Sequence, residues 1–572
     1  MIWWAEQPKR AREEQNAIGN LAERNPWLIN AEMRPGENLR LVFDFDIRID
    51  ERNIPLTLVY PDFFPDAAPS ILARDRELLS GHQYGPEGEL CLEYRPDNWR
   101  PEITGAMMIE SAHRLLSSEQ ETGQPAPSEH RTTRAQRMRH SPLRFLYSAE
   151  TVSGLSLVAQ GQVAEAEIQE HDTAGTYVAQ LSRIGPADAS LWQATSGRGD
   201  GARTLKTVVV RTSDGATQPF NDFGELRAQL WSDGFSGLAA ELANDSSAVV
   251  VILFDGKHLQ VAVVFSDEEQ RKIIKYDAIF AEREAVRLDP EYERLKGAKV
   301  ALVGCGSIGS KVAVQLVRSG VANFVLVDGD VLASGNLVRN ELDWRSVGVH
   351  KAPAVGARLK EINPDCIVSA WTNPLGGQES GARASATMAA IEECDLVIDA
   401  TAEPTVFNLC AAIARRAEKP MCWAQVFGGG AGGIVVRLRP GIDPTPLAAR
   451  QRIETWYREQ GVEWPDEGET QPYRETGVSG TPLIADDADV SVIASHLSRC
   501  AIDLLARPDA TIFPYSAYVI GLRDRWLFTA PFDVYPIDLG EGDAWGTEVE
   551  PGDAEVLKAL IADLLSSTSD AG

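Results

Sequence analysis

At 572 residues the chain exceeds what one hydrophobic core sustains, so about two or three domains are expected. Its 44% hydrophobic and 24% charged residues are those of an ordinary soluble globular protein, and no run approaches the ~18 apolar residues of a helical membrane span. The formal net charge of −28 disfavours a broad nucleic-acid footprint and suits a basic or neutral partner, or plain solubility.

The opening Met1-Ile2-Trp3-Trp4-Ala5-Glu6-Gln7 lacks the basic-then-apolar layout of a secretory signal. The seven cysteines, Cys91, Cys305, Cys366, Cys394, Cys410, Cys422 and Cys500, include no C-x-x-C pair. That spacing fits neither a disulfide framework nor a zinc site, and a reducing cytoplasm is expected.

In chain order, a polar helix is predicted around Arg10 to Glu23. Period-two alternation from Leu39 to Ile49 predicts a half-buried strand, and Leu56 to Tyr60 a second that stops at Pro61. Pro61, Pro65 and Pro69 bar the next stretch from a sheet interior. Ile103 to Leu116 reads as a helix, and residues 119–141, rich in Gln, Ser, Thr and Arg, read as a linker. Between 145 and 280, strands are predicted at Thr207 to Val210 and Val249 to Phe254, with a hairpin turning at Asp255-Gly256. No metal or nucleophile constellation stands there, His258 is alone, and a connecting or docking role follows by elimination.

From about residue 290 strands and helices alternate. Lys299 to Val303 is a buried-type strand ended by Gly304, and a helix follows with Ile308, Val312 and Leu316 on one face. Later strands end at Asp328 and Asp399. This is the α/β texture of a doubly wound parallel sheet.

Gly304-Cys305-Gly306-Ser307-Ile308-Gly309 is a G-x-G-x-x-G turn between strand and helix, where backbone N–H groups can approach phosphates. Asp328, 24 residues after Gly304, suits a pair of ribose hydroxyls. These two features fit an NAD-dependent oxidoreductase as well as an adenylating enzyme. The following residues separate the two: Asp328-Gly329-Asp330-Val331-Leu332-Ala333-Ser334-Gly335-Asn336-Leu337-Val338-Arg339-Asn340, then Gly348-Val349-His350-Lys351, then Asn363-Pro364. They resemble the D-x-D-x-V-x-x-S-N-L-x-R, G-x-x-K and N-P pattern of the ThiF/ubiquitin-activating family over roughly residues 295–440, with Ser334 and Asn336 parted by Gly335.

The resemblance implies a Rossmann-like adenylation domain that uses ATP and Mg2+ to convert a carboxylate to an acyl-adenylate. It places Gly304, Gly306, Gly309, Asp328, Asn336, Arg339, Lys351 and Asp399 at the nucleotide. Arg339 and Lys351 would stabilise the charge that builds as pyrophosphate leaves, Asn336 would orient phosphates and Asp328 would hold the ribose. The family's D-x-T-D reads Asp399-Ala400-Thr401-Ala402-Glu403, so the magnesium carboxylate falls to Asp399 or Glu403.

The N-terminal region carries a second resemblance. Tyr60-Pro61, Phe64-Pro65 and Pro69, then Gly88-Glu89-Leu90-Cys91-Leu92 and Trp99-Arg100-Pro101, are similar to the Y-P-x-x-P-P, G-x-I-C-L and W-x-P signatures of ubiquitin-conjugating enzymes. This implies an α+β conjugating-like domain in which Cys91 accepts an acyl group as a thioester. The family's H-P-N reads His82-Gln83-Tyr84, which leaves Gln83 or Tyr84 to replace the asparagine. For a relay nucleophile in the activating half, the candidates are Ser479 in the loop Gly477 to Pro482, Cys500 on a predicted helix, or none, with direct transfer to Cys91. Cys394, Cys410 and Cys422 read as core.

The expected organisation is a conjugating-like domain over 1–125, a linker and connecting α/β region over 126–285, and a ThiF-like adenylation domain over 286–572. This order resembles the bacterial fusion proteins of CBASS-type and related antiphage operons. The resemblance implies a protein substrate with an activatable C-terminus, either a ubiquitin-like protein or a cGAS-like nucleotidyltransferase. It also implies a target-protein amine as acceptor and a homodimer. No nucleic acid and no membrane partner is expected. Two alternatives stay open: an adenylyltransferase for a sulfur carrier, and a non-catalytic adaptor for a ubiquitin-like protein.

Overall fold

Alternating apolar residues build the first of three sheets. The structure, a computed structural model, describes residues 2–75, 79–80, 83–84, 88–122, 135, 138–139, 141–194, 201–268, 270–281, 288–427, 429–461, 485–542, 544–546 and 553–569. Helices α1 (Trp3–Glu6) and α2 (Pro8–Arg24) lead into strands β1 (Leu28–Pro35), β2 (Leu41–Ile49), β3 (Arg52–Val59), β4 (Ser70–Ala73), β5 (Gln83–Tyr84) and β6 (Glu89–Leu90). The strands pair antiparallel in the order β1-β2-β3-β4-β6-β5. On β2 the predicted alternation sends Leu41, Phe43, Phe45 and Ile47 into a core shared with Ile18 and Leu21 of α2 and with Met108, Ile109, Ala112 and Leu116 of α3 (Gly105–Thr122).

The middle of the chain is a closed sheet. Strands β7 (Leu143–Tyr147), β8 (Val163–Thr173), β9 (Thr176–Ile184), β10 (Trp192–Gln193), β11 (Arg203–Arg211), β12 (Val249–Phe254), β13 (Leu259–Asp267) and β14 (Gln270–Phe280) run in the order β10-β9-β7-β14-β13-β12-β11-β8. Because β8 also pairs with β9, seven of them form a ring. Helix α4 (Ala149–Ser156) contributes Leu155 to its interior. Strand β12 is buried on both faces. Val250, Ile252 and Phe254 fill the barrel, while Val249, Val251 and Leu253 pack with Leu226, Leu230, Ala239 and Leu242 of α5 (Phe223–Ser232) and α6 (Ser236–Asn244). The hairpin expected at Asp255-Gly256 joins β12 to β13, with Phe254 opposite Leu259.

The third sheet has the order β17-β16-β15-β18-β19-β20-β21-β22. Its members are β15 (Lys299–Val303), β16 (Asn323–Val327), β17 (Ile367–Trp371), β18 (Leu396–Asp399), β19 (Met421–Phe427), β20 (Gly432–Leu438), β21 (Ala517–Gly521) and β22 (Val534–Ile537). The first five in that order are parallel, and β20 to β22 extend them antiparallel. This is a Rossmann-like mixed α/β fold. Its helices are α7 (Ser307–Arg318), α8 (Lys351–Ile362), α9 (Gly381–Glu392), α10 (Pro404–Arg416), α11 (Pro446–Glu459) and α12 (Asp487–Ala506), with α13 (Asp553–Ser569) at the end. Core residues on the two faces of β15 diverge. Val300 and Leu302 pack towards α7 and α12, and Ala301 and Val303 towards α10. Among the described residues no helix is long and apolar enough to cross a membrane.

Candidate functional site

The chain leaves β15 in one direction through β16 and β17, and in the other through β18 and β19. The strand order therefore reverses between β15 and β18, and the carboxyl ends of the strands flanking such a switch point form a crevice for ligands. Gly304 follows β15 with φ of +90°, and a Cβ there would meet Thr401 Cγ2 at 2.8 Å. Gly309 is tighter still, because a Cβ would fall 1.8 Å from the Gly304 carbonyl oxygen. A Cβ at Gly306, by contrast, would meet open space. The turn thus folds on itself at Gly304 and Gly309 and leaves Gly306 clear at the start of α7.

Asp328, at the end of β16, is locked onto this turn. Its Oδ2 accepts from Cys305 N at 2.7 Å and its Oδ1 from Asp330 N at 2.8 Å. Burial pushes its carboxyl up from the ordinary range, against the pull of these two N–H groups and of Lys351. Asp399 ends β18 opposite Val303. Its Oδ1 accepts from Thr401 N at 3.0 Å and Thr401 Oγ1 at 2.6 Å, and burial raises its carboxyl to about 6. Beside it lies a recess lined by Ala402, Glu403, Phe407, Trp423, Gln425 and Arg450. A hard oxygen ligand at a strand end fits magnesium, and Asp399 and Glu403 are the two carboxylates of this recess that could supply it. Ala402 occupies a left-handed backbone position with φ of +59° and brings no oxygen to its side chain. No group of three or more His, Cys, Asp and Glu side chains gathers among the described residues.

The loop from Asp328 to Lys351 supplies the cation. Lys351 starts α8, is 5% exposed and places Nζ 2.8 Å from Asp330 Oδ2. Its own N–H donates to Asp330 O at 2.9 Å. Arg339 follows a short 3-10 turn over Ser334–Val338 and is half-buried. Asn336 accepts from Ala333 N at 3.0 Å through Oδ1, so its carboxamide oxygen shapes the loop. The sequence reading missed two residues. Asn340 is buried, donates to Cys305 O at 3.3 Å and accepts from Leu342 N at 3.0 Å, so it braces the glycine turn. Asp330 is the partner that holds Lys351. Both lie inside the quoted motif run, and their position beside Asp328 and Arg339 was the available signal.

Cys91 follows β6 and is half-buried, whereas the other six cysteines are buried. Trp99 Nε1 donates to Pro65 O at 2.7 Å, joining two of the motif segments around it. Gln83, a candidate to replace the missing asparagine, has its amide engaged. Its Oε1 accepts from Leu79 N and Ser80 N, and its Nε2 donates to Gly88 O at 3.0 Å. That amide pins the loop before Cys91. His82 lies outside the described residues.

The relay candidates divide. Cys500 sits on α12 within the sheet core, and burial pushes its thiol up to about 12, so at neutral pH it is not a thiolate nucleophile. The reactivity considered from its sequence position is removed by packing. Ser479 and the loop from Gly477 to Pro482 lie outside the described residues. Cys394, Cys410 and Cys422 are buried, as expected.

Residues 280–482 match the ThiF family. The chain is 26% identical over 522 residues to the uncharacterized protein y4qC of Sinorhizobium fredii, covering 84% of this chain and 87% of y4qC. It is 30% identical over 244 residues to the uncharacterized protein y4oA of the same organism, covering 38% of each. It is 33% identical over 125 residues to the ATP-dependent ubiquitin transferase-like protein Cap2 of Enterobacter hormaechei, covering 22% of this chain and 20% of Cap2. The chain thus spans well under two thirds of y4oA and of Cap2. Among solved structures, E. coli MccB with ATP is similar at a TM-score of 0.34 and 18% identity, covering 45% of this chain and 68% of MccB.

Proposed function

We propose that the chain binds ATP at the Gly304 turn, adenylates the C-terminal carboxylate of a protein, transfers the acyl group to Cys91 and delivers it to an amine of a target protein. The observation that carries the first step is the convergence of the Gly304 turn, Asp328, Asp399 and the buried Lys351 at the carboxyl ends of β15, β16 and β18 and the start of α8. The similarity of residues 280–482 to the ThiF family supports it.

In the first step a carboxylate oxygen attacks the α-phosphorus, the bond to the β-phosphate oxygen breaks and pyrophosphate leaves. Asp328 presents a buried acceptor for ribose hydroxyls, and Gly306 leaves room for phosphate at the start of α7. Arg339 and Lys351 supply fixed positive charge where negative charge develops, which a water-poor site makes effective. Bound at Asp399, magnesium would neutralise phosphate charge. In the second step the Cys91 thiolate attacks the acyl carbon and AMP leaves. In the third an amine displaces the Cys91 thiolate. Carrying both centres on one chain raises their effective concentration.

The substrate is a ubiquitin-like protein or a cGAS-like nucleotidyltransferase, and the similarity to the ubiquitin transferase-like protein Cap2 supports transfer to a protein. The enzyme works as a homodimer in the cytoplasm. Two observations favour a second reading, a non-catalytic adaptor: the Gln83 amide is committed to the backbone, and Ala402 lacks the carboxylate.

ATP–pyrophosphate exchange and intact-mass spectrometry of the full chain with magnesium-ATP and carboxyl donors test the proposal. A thiol-labile adduct lost in both Cys91→Ala and Lys351→Ala is expected. Neither exchange nor adduct with any donor from the native operon would leave the adaptor reading.

A further inference from the structure

Helix α7 carries a buried cation that the steps above do not use. Lys311 is 5% exposed, and its Nζ lies 2.7 Å from Asp487 Oδ1 and 3.7 Å from Glu341 Oε2. Burying an ammonium is costly unless acids oppose it, so these two acids decide where α7 can sit and are themselves held by it. The acids come from different places. Glu341 stands two residues after Arg339, and its N–H donates to Ser310 Oγ at 3.2 Å. Asn340, between them, is tied to Cys305 O of the glycine turn. Asp487 belongs to the first turn of α12, which Asp486 caps by accepting from Asp489 N at 2.9 Å. One helical turn further along α7, Gln315 donates to Ser495 Oγ of α12 at 3.0 Å.

Two consecutive residues of α7, Ser310 and Lys311, therefore hold the loop that carries Arg339, and Lys311 joins that loop to α12. We propose that Lys311 is a positioning residue through which the first turn of α12 sets the stance of the Arg339 loop. In its effect on rate this rests on the adenylation reading above. Arg339 acts most strongly on the charge that builds as pyrophosphate leaves, so moving its loop lowers kcat more than it weakens ATP binding. A misplacement of ~1 Å is worth about a hundredfold in rate.

Two measurements on the full chain test this, with Lys311→Met, Asp487→Asn and the double variant. The first is hydrogen–deuterium exchange by mass spectrometry. Lys311→Met speeds amide exchange roughly tenfold in both Arg339–Leu342 and Asp486–Val490, and leaves β15 unchanged. Asp487→Asn, at a half-exposed acid that folding tolerates, speeds exchange in Arg339–Leu342 although it lies on another element. The second is ATP–pyrophosphate exchange with the carboxyl donors of the native operon. Each single variant lowers kcat by about ten- to a hundredfold with KM for ATP within about twofold, and the double variant is no worse than the singles. Faster exchange at only one segment, an Arg339 loop that ignores Asp487→Asn, or an unchanged kcat overturns the proposal. A wild-type chain that exchanges no pyrophosphate ends the adenylation reading instead, and the deuterium measurement alone then decides the coupling.

Discussion

Lys351 Nζ lies 2.8 Å from Asp330 Oδ2, so the cation assigned to phosphate already has a carboxylate partner two residues beyond the ribose aspartate. The two ends of the pair differ in environment. The Lys351 side chain is 6% exposed and the Asp330 side chain 70%. An exposed carboxylate can swing into water, whereas the buried lysine cannot follow it.

Asp330→Asn removes a competitor for Lys351. We expect a few-fold tighter binding of a non-hydrolysable ATP analogue by calorimetry, together with a lower melting temperature, because a buried cation loses its counter-charge. Lys351→Met is expected to cut pyrophosphate exchange by about a hundredfold or more. Weaker analogue binding in Asp330→Asn would mean that the aspartate positions the lysine instead of competing for it.

The buried Asp399 makes stability depend on pH. Its carboxyl is raised from 3.8 to about 6 in the folded state, so the native protein keeps a proton that the unfolded chain loses. The sign follows: this contribution is fully present below pH ~4 and lost as pH rises through about 6. Asp399→Asn, which stays neutral, should therefore be more stable than wild type at pH 7 to 8, by up to about 3 kcal/mol, and no more stable near pH 4. Denaturant midpoints at the two pH values check this. A variant less stable at pH 8 would show that the carboxylate has a fixed positive partner.

Gly105 begins α3 where three elements meet. A Cβ there would stand 2.2 Å from Tyr60 Oη, 2.7 Å from Leu58 Cδ2 and 3.0 Å from Glu14 Oε2. Glu14 is fully buried and accepts from both Tyr60 Oη and Gly105 N at 2.6 Å. Gly105→Ala should cost roughly 2 kcal/mol or more through overpacking and disruption of these bonds. The expected phenotype is loss of Cys91 loading with pyrophosphate exchange retained. Loss of both together would show that the two functions do not separate.

Arg437 on β20 is fully buried and pairs with Asp503 of α12 at 3.5 Å, donating also to Phe513 O at 2.8 Å. Arg437→Met leaves the buried Asp503 with only the more distant Arg507, whose Nη1 lies 3.9 Å from its Oδ1, and should destabilise by about 3 kcal/mol. Asp503 also accepts from Ile512 N at Oδ1 and from Thr511 Oγ1 at Oδ2, so Arg437→Met with Asp503→Asn removes the charge and keeps the Ile512 bond, while the amide nitrogen can meet Thr511 Oγ1 only as a donor. The double variant is expected to recover part of the loss in denaturant unfolding. Simple additivity of the two substitutions would rule out a coupled pair.

Periodicity carried the first and third sheets well. Alternation over Leu39 to Ile49 is local, and so it became β2 with its apolar side inward. The strand, glycine turn and helix from Lys299 to Leu316 likewise follow from residues near one another in sequence. The barrel over 143–280 was not legible. Its closure rests on pairings distant in sequence, β8 with β11 and β7 with β14, which no local pattern announces. A fully apolar β12 also cannot declare that one face meets a barrel interior and the other two helices.

The sequence by itself determined which residue types stand in the glycine turn, in the run from Asp328 to Asn340 and around Cys91, because those motifs are set by local spacing. Only the tertiary structure decided their partners. It gave Lys351 to Asp330, fixed Gln83 onto its own loop, sank Cys500 into the core and set Lys311 between Glu341 and Asp487. The physical reason is that backbone propensity acts over a few residues, whereas burial and charge pairing depend on what the fold sets side by side, whether five residues apart as for Gln83 and Gly88 or on another helix as for Lys311 and Asp487.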